Sequence, residues 1–150
     1  MHEEFFELLK TDHDEIRDTL EMLSQISGKA SRSKKALVDR LTQQLFSHME
    51  AEEKAFYPAL AQEDDSYEDA LRAIEEHRII RETLQDLLKL PEEHEHWSAR
   101  LSVLKDIIEH HIEEEESLLF DDTREVLGEE QVEEIMNRYR QEKQQLRAAA

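Results

Sequence analysis

One pattern is written twice along this chain. His13, Ile16, Arg17, Thr19, Leu20 and Leu23 recur at a constant offset as His77, Ile80, Arg81, Thr83, Leu84 and Leu87. Each copy is followed by a histidine and a glutamate four residues apart, His48/Glu52 in the first half and His111/Glu115 in the second. The histidine-to-histidine separations nearly match, at 35 and 34 residues. Such a duplication constrains the chain to two similar helical hairpins, because stripes spaced by three and four residues bury only against other helices. Histidines and carboxylates recurring at equivalent places in paired hairpins are the layout of a metal site built between four helices.

The stripes can be followed individually. Leu9, His13, Ile16, Leu20 and Leu23 predict an amphipathic helix over about 3–27. Residues 27–33, with Gly28 and three serines, break it and offer caps for a second helix carrying Leu37, Leu41, Leu45, His48, Glu52 and Ala55 inward. That helix runs into Tyr57-Pro58, where proline removes a backbone donor and kinks or ends it. A polar connection over 62–66 leads to a third stripe, Ala70, Ala73, His77, Ile80, Leu84 and Leu87, and Leu90-Pro91 turns the chain again. The fourth stripe is Leu101, Leu104, Ile108, His111, Glu115 and Leu118, ending near 120–122. Beyond Gly128, Val132, Ile135, Met136 and Tyr139 predict a last helix from Glu129 to about Leu146 lying across the bundle, with the charged stretch 140–145 solvated.

Short connections favour antiparallel neighbours, so the expected fold is all-α: an up-down-up-down antiparallel four-helix bundle with an additional C-terminal helix. The bundle is expected over 1–125, with 126–150 packed on it or extending from it. Only 2 Gly and 2 Pro interrupt the 150 residues, consistent with helix throughout. Each of the four stripe histidines falls about ten residues from the same bundle end. At a rise of ~1.5 Å per residue all four lie ~15 Å from that end and converge on one level.

Spacing alone does not establish a site. With acidic residues at 38 of 150 positions, 8 histidines should produce about two His/Glu pairs four apart by chance, and three are present, His110/Glu114 being the third. Position on the stripe is the stronger signal. His13, His48, Glu52, His77, His111 and Glu115 all stand where the three-four pattern calls for leucine or alanine. An unpartnered buried carboxylate costs several kcal/mol, so two at one level demand cations or protons. Imidazole suits divalent iron, zinc, copper or manganese, and a carboxylate can bridge two ions.

The excess of acid, a formal charge of −19, repels nucleic-acid phosphates and anionic membranes, so neither is an expected partner. No cysteine is present, which removes disulfides and thiolate-ligated clusters. The first residues lack the basic and apolar regions of a signal peptide, and no apolar run reaches the ~20 residues a bilayer requires. The expected location is cytoplasmic.

These residues resemble the hemerythrin-like, or HHE cation-binding, domains. The resemblance covers about residues 5–125 and rests on His13, on His48-Met-Glu-Ala-Glu52-Glu53 followed by Phe56-Tyr57-Pro58, on His77, and on His111-Ile-Glu-Glu-Glu115-Glu116 followed by Leu119-Phe120. It implies a four-helix bundle holding two non-haem iron ions, oxo- or hydroxo-bridged. It further implies His13, His48, His77 and His111 as terminal ligands, with Glu52 and Glu115 as bridges. Oxygen-carrying members hold five histidines, two of them four apart on the third helix, whereas Ala73 and Arg81 flank His77 at that spacing. The missing imidazole leaves room for water, for a carboxylate such as Glu76, or for an exogenous small molecule. It suits reaction with peroxide or nitric oxide at least as well as reversible oxygen carriage.

Other features carry blander readings. His110 lies about 100° off the stripe and is expected to be exposed. His94 and His96 open a helix and are expected in solvent; His2 is terminal. Glu53 and Glu116 are placed on the outer face, with a hydrogen bond to a ligand as the alternative, and Arg17 and Arg81 are expected to pair with surface acids, with Glu52 or Glu115 across the bundle as the alternative. Leu9, Ile16, Leu45, Ile80, Leu104 and Ile108 line the space above and below the site, where any cavity would be apolar and suited to a diatomic gas. Phe5, Phe6, Phe46 and Trp97 are expected to pack at bundle ends and under the last helix. No nucleophile elbow or glycine-rich loop is present to support hydrolase or nucleotide chemistry.

The functional expectation is a di-iron binding protein that engages O2, NO or peroxide in sensing, storage or stress protection. An enzyme reducing peroxide or nitric oxide is the first alternative, and a zinc-binding or structural helical interaction protein the second. The sequence identifies no protein partner.

Overall fold

The computed structural model describes residues 2–26 and 32–149. The break expected at Ser27, Gly28 and Ser31 lies outside the described residues. Helices α1 (His2–Ile26), α2 (Arg32–Ala55), α4 (Tyr67–Lys89) and α5 (Trp97–Glu114) form the bundle, and α3 (Tyr57–Leu60) is a single turn after α2. A π-helical stretch, Glu115–Leu119, continues α5 into α6 (Phe120–Val126), and α7 (Glu129–Ala149) closes the chain. No strand occurs among the described residues.

Successive bundle helices are antiparallel. The start of α1 meets the end of α2, with Phe5 and Phe56 edge-to-face at 5.0 Å, and His13 meets His48 at 4.9 Å further along. Local chemistry sets the helix ends. Glu68 and Asp69 begin α4 and Lys89 ends it, each complementing the helix dipole. The Ser66 hydroxyl donates to the Leu60 carbonyl at 2.6 Å and closes the turn before α4. Leu90 is extended, as a residue preceding proline prefers.

Every stripe residue of α1 and α4 is buried, as the spacing predicts. On α2, Leu37 is only half-buried, and Lys34 and Val38 take the inner face of the first turns. Two apolar expectations fail. Phe46 stands 48% exposed instead of packing under the last helix, since α2 presents Leu45 and Met49 inward at that level. Leu118 is 46% exposed, while Leu119 and Phe120 are buried. The π-turn is the cause: its extra residue per turn advances the buried face by one position. The fourth helical segment also does not stop near 120–122 but continues through α6 to Val126.

The apolar interior is split. One cluster gathers Phe5, Phe6, Leu9, Phe56, Leu60, Phe120 and the inner face of α7; the other gathers Ile16, Leu20, Leu41, Leu45, Ile80, Leu104 and Ile108 down to Trp97. Between them lies a layer of six polar residues, His13, His48, Glu52, His77, His111 and Glu115, all buried. Helix α7 buries Val132, Ile135, Met136 and Tyr139 against α2 and α1. His2, read as uninformative, donates from Nε2 to the Leu127 carbonyl at 2.8 Å and ties the start of α1 to the approach of α7. No helix among the described residues is long and apolar enough to cross a membrane.

Candidate metal centre

The six stripe residues converge on one point from four helices. Two overlapping sets, His13/His48/Glu52/Glu115 and Glu52/His77/His111/Glu115, each have ligand-type atoms within 4.8 Å of one another. Glu52 and Glu115 belong to both. His13 Nε2 lies 3.2 Å from Glu115 Oε1 and His48 Nε2 3.0 Å from Glu52 Oε1. His77 Nε2 lies 3.4 Å from Glu52 Oε1, and His111 Nε2 3.7 Å from Glu115 Oε2. Two donors each ~2.1 Å from one ion are separated by about 3–4 Å, so these spacings fit metal coordination.

The orientation of each ring is fixed from behind. Nδ1 of His13 meets Glu116 at 2.7 Å, of His48 Asp12 at 3.1 Å, of His77 Glu53 at 2.9 Å and of His111 Glu76 at 2.7 Å. A neutral imidazole donates through one nitrogen and accepts through the other, so Nδ1–H given to a carboxylate leaves the Nε2 lone pair facing the centre. His77 and His111 consequently point Nε2 at each other across 3.0 Å, favourable only with a proton or cation beside them. His13 Nε2, His48 Nε2, Glu52 Oε2 and Glu115 Oε1 are buried with no hydrogen-bond partner among the described residues. Each such group costs about 1–3 kcal/mol, and a cation set among them would satisfy all four together.

Protonation reflects the same crowding. Burial, then repulsion from Glu115, pushes Glu52 well above the usual carboxylate range. Burial acts on Glu115 too, but contacts with Glu52 and His13 hold it well below that range, so one proton serves the pair. Burial pushes His77 down to about 4, only partly offset by Glu53, which keeps it a neutral donor. His13 is raised because Glu115 and Glu116 outweigh its burial.

Tyr57 completes the centre and, like Asp12 behind His48, was not assigned to it by the sequence reading. Its hydroxyl donates to Glu115 and lies 3.2 Å from both Glu52 Oε1 and His77 Nε2. The helix break at Phe56, before Pro58, swings Tyr57 inward from a position that a straight helix would aim elsewhere. Its counterpart in the second half is Phe120, stacked on Phe6 at 4.1 Å. The break before Pro58 was the available signal: a tyrosine five residues after a candidate ligand, at a kink, can turn inward. Burial and the two carboxylates push the phenol well above its ordinary range.

Several peripheral expectations are corrected. Glu53 and Glu116 do not sit idle on the outer face; they hold His77 and His13. Glu76 does not fill the position beside His77 but orients His111. Arg81 reaches Glu53 at 2.7 Å and supports that carboxylate, whereas Arg17 pairs with Glu109 at 2.8 Å nearer the surface. The stretch 140–145 is not wholly solvated, since Lys143 donates to Asp12. His110 is exposed as expected, against Glu114 at 3.3 Å, and His94 and His96 are in solvent.

An antiparallel bundle whose core is interrupted by four oriented imidazoles and two shared carboxylates defines a class: helical proteins with a metal site between their helices. A family model for the Hemerythrin HHE cation binding domain matches residues 4–122, and the chain belongs to that family. It is also similar to a crystal structure of a hemerythrin HHE cation-binding domain-containing protein from Mycobacterium kansasii. That likeness has a TM-score of 0.85 at 26% identity, covering 96% of this chain and 87% of that one. A search of curated proteins finds no match. Family and buried cluster together point to metal binding.

Proposed function

We propose that this protein holds two iron ions, one between His13 and His48 and the other between His77 and His111, with Glu52 and Glu115 shared, and engages O2, NO or peroxide. The observation that carries the reading is the convergence of four Nε2 atoms, each ring pinned by a carboxylate behind it, on two carboxylates common to both sets. The donor set is imidazole and carboxylate without thiolate, which suits iron. Asp12, Glu53, Glu76 and Glu116 add four carboxylates just outside, giving the centre an excess of negative charge that favours highly charged cations. Bound iron would supply a Lewis-acidic, redox-active position for a small oxygen- or nitrogen-containing ligand.

The chain's own groups define what such a ligand would meet. Tyr57 places a phenol oxygen 3.2 Å from His77 Nε2, so that oxygen is an additional donor available to the His77/His111 position. The flanking Leu9, Ile16, Leu45, Ile80, Leu104 and Ile108 are buried and keep water from the layer. Binding in sensing, storage or stress protection is the leading reading. Tyr57 also favours the enzymatic alternative, because its hydroxyl lies within hydrogen-bond reach of Glu52 and Glu115 and can move a proton at the site.

Purification from iron-supplied cells should give about two iron ions per chain and a visible spectrum of a ferric pair. Zinc at one per chain would replace this reading with a structural one. Many cycles of peroxide consumption by the iron-loaded protein, without bleaching, would establish the enzyme over the binding protein.

A further inference from the structure

The centre is nearly two-fold symmetric, and one departure from the symmetry involves α7. Asp12 and Glu76 stand at equivalent places, each one residue before a candidate ligand, and they hold the equivalent histidines His48 and His111. Behind Glu76 lies the surface, where Arg72 and exposed His110 approach its outer oxygen at 3.8 and 3.9 Å. Behind Asp12 lies α7. Tyr139 donates its hydroxyl to Asp12 Oδ2, and Lys143, one turn further along the same face, donates to Oδ1. The Tyr139 oxygen also accepts from His48 Nδ1 at 2.6 Å. Asp12 is 5% exposed and Tyr139 fully buried, with its ring edge-to-face on Phe5 at 5.9 Å.

Tyr139 and Lys143 thus clamp Asp12 from a helix that supplies none of the six candidate ligands. Val132, Ile135 and Met136, on the same stripe, press the clamp into place. Fixing the carboxylate and sharing the Nδ1 proton both restrict how the His48 ring can turn. Outer partners of this kind typically change metal affinity by about 10–100-fold.

We propose that α7 is a positioning element for one metal position: Tyr139 and Lys143, acting with Asp12, orient His48 and so strengthen binding between His13 and His48 while leaving the His77/His111 position unaffected. This rests on the two-metal reading above. Tyr139→Phe removes the hydroxyl and keeps the ring that packs on Phe5; Lys143→Met keeps the alkyl stem and serves as the second variant should the first misfold. The probe is Co2+ alone, added to metal-free full-length protein. Occupancy at each position is read from anomalous diffraction at sub-saturating Co2+, and the two affinities from the visible absorption titration.

Tyr139→Phe should weaken the His13/His48 position about tenfold and leave the other unchanged, with Lys143→Met acting in the same direction. Glu76→Gln should do the reverse, weakening the His77/His111 position. Equal weakening of both positions by Tyr139→Phe would reduce α7 to general structural support and overturn the proposal, as would no change at either. Wild-type protein that takes up fewer than two Co2+ would refute the two-metal reading itself. Two ions whose affinities ignore α7 would refute only this inference.

Discussion

Replacing Glu52 with glutamine separates the cost of burying this site from its use. Without metal, Glu52 is fully buried, and burial and Glu115 both favour its protonated form. A neutral amide of nearly the same shape should leave the metal-free fold close to unchanged in stability at neutral pH. With metal the expectation reverses, because Glu52 belongs to both four-residue sets. At a free ion concentration one hundred times Kd, each ion stabilises the native state by about 2.7 kcal/mol, so two contribute about 5 kcal/mol. For a chain of this length that is an upward shift in melting temperature of roughly 10–20 °C. If glutamine weakens each position about 100-fold, the same ion concentration merely equals Kd and the combined stabilisation falls below about 1 kcal/mol. The assay is thermal melting by circular dichroism with and without Co2+. A variant that keeps most of the wild-type metal shift would show that Glu52 is no bridge. A metal-free variant melting many degrees lower would show that ionised Glu52 supports the fold itself.

His48→Ala touches one set only, so metal content should fall by about half, measured by elemental analysis; complete loss would mean the two positions fill only together. Tyr57→Phe should leave about two iron ions bound but remove visible phenolate-to-iron absorption from the ferric protein; an unchanged spectrum would exclude the Tyr57 oxygen as a donor. Asp122 is raised to about 7 by burial and then by Asp69, so its native state holds a proton that the unfolded chain releases near 4. Its contribution is therefore complete below about pH 4 and lost as pH rises through 7. Asp122→Asn should raise the melting temperature at pH 8 and not at pH 4, and equal shifts at both would contradict that account. Lys34 lies fully buried, donating to the Glu92 carbonyl at 2.8 Å and standing 3.8 Å from the Trp97 ring centroid. Lys34→Met should lower stability by about 1–3 kcal/mol in denaturant unfolding without altering Co2+ affinity, and an affinity change would link that end of the bundle to the centre.

Much of the candidate site was legible because helical periodicity assigns each residue to a face. His13, His48, His77 and His111 stood on apolar stripes, and a polar residue on such a stripe is inside wherever the helix is regular. The reading failed where the helix is not regular. Tyr57 was left unassigned because the chain breaks at Phe56, and Leu118 was misplaced because the π-turn advances the phase by one residue. Glu53 and Glu116 were assigned outward because they follow the inner glutamates by one step. At that angle a side chain sits on the boundary of the face, and only the neighbouring helix decides whether a histidine lies within reach.

Sequence by itself determined the four amphipathic helices, the additional C-terminal one and the level at which six polar residues would meet, because repeat spacing and rise per residue are properties of the chain alone. Only the tertiary structure decided which carboxylate stands behind which imidazole, that Tyr57 enters the centre, and that α7 closes on Asp12 with Tyr139 and Lys143. Those contacts join residues as far apart as 12 and 143. Their geometry depends on helix breaks and on the lateral packing of one helix on another, and no local pattern encodes either.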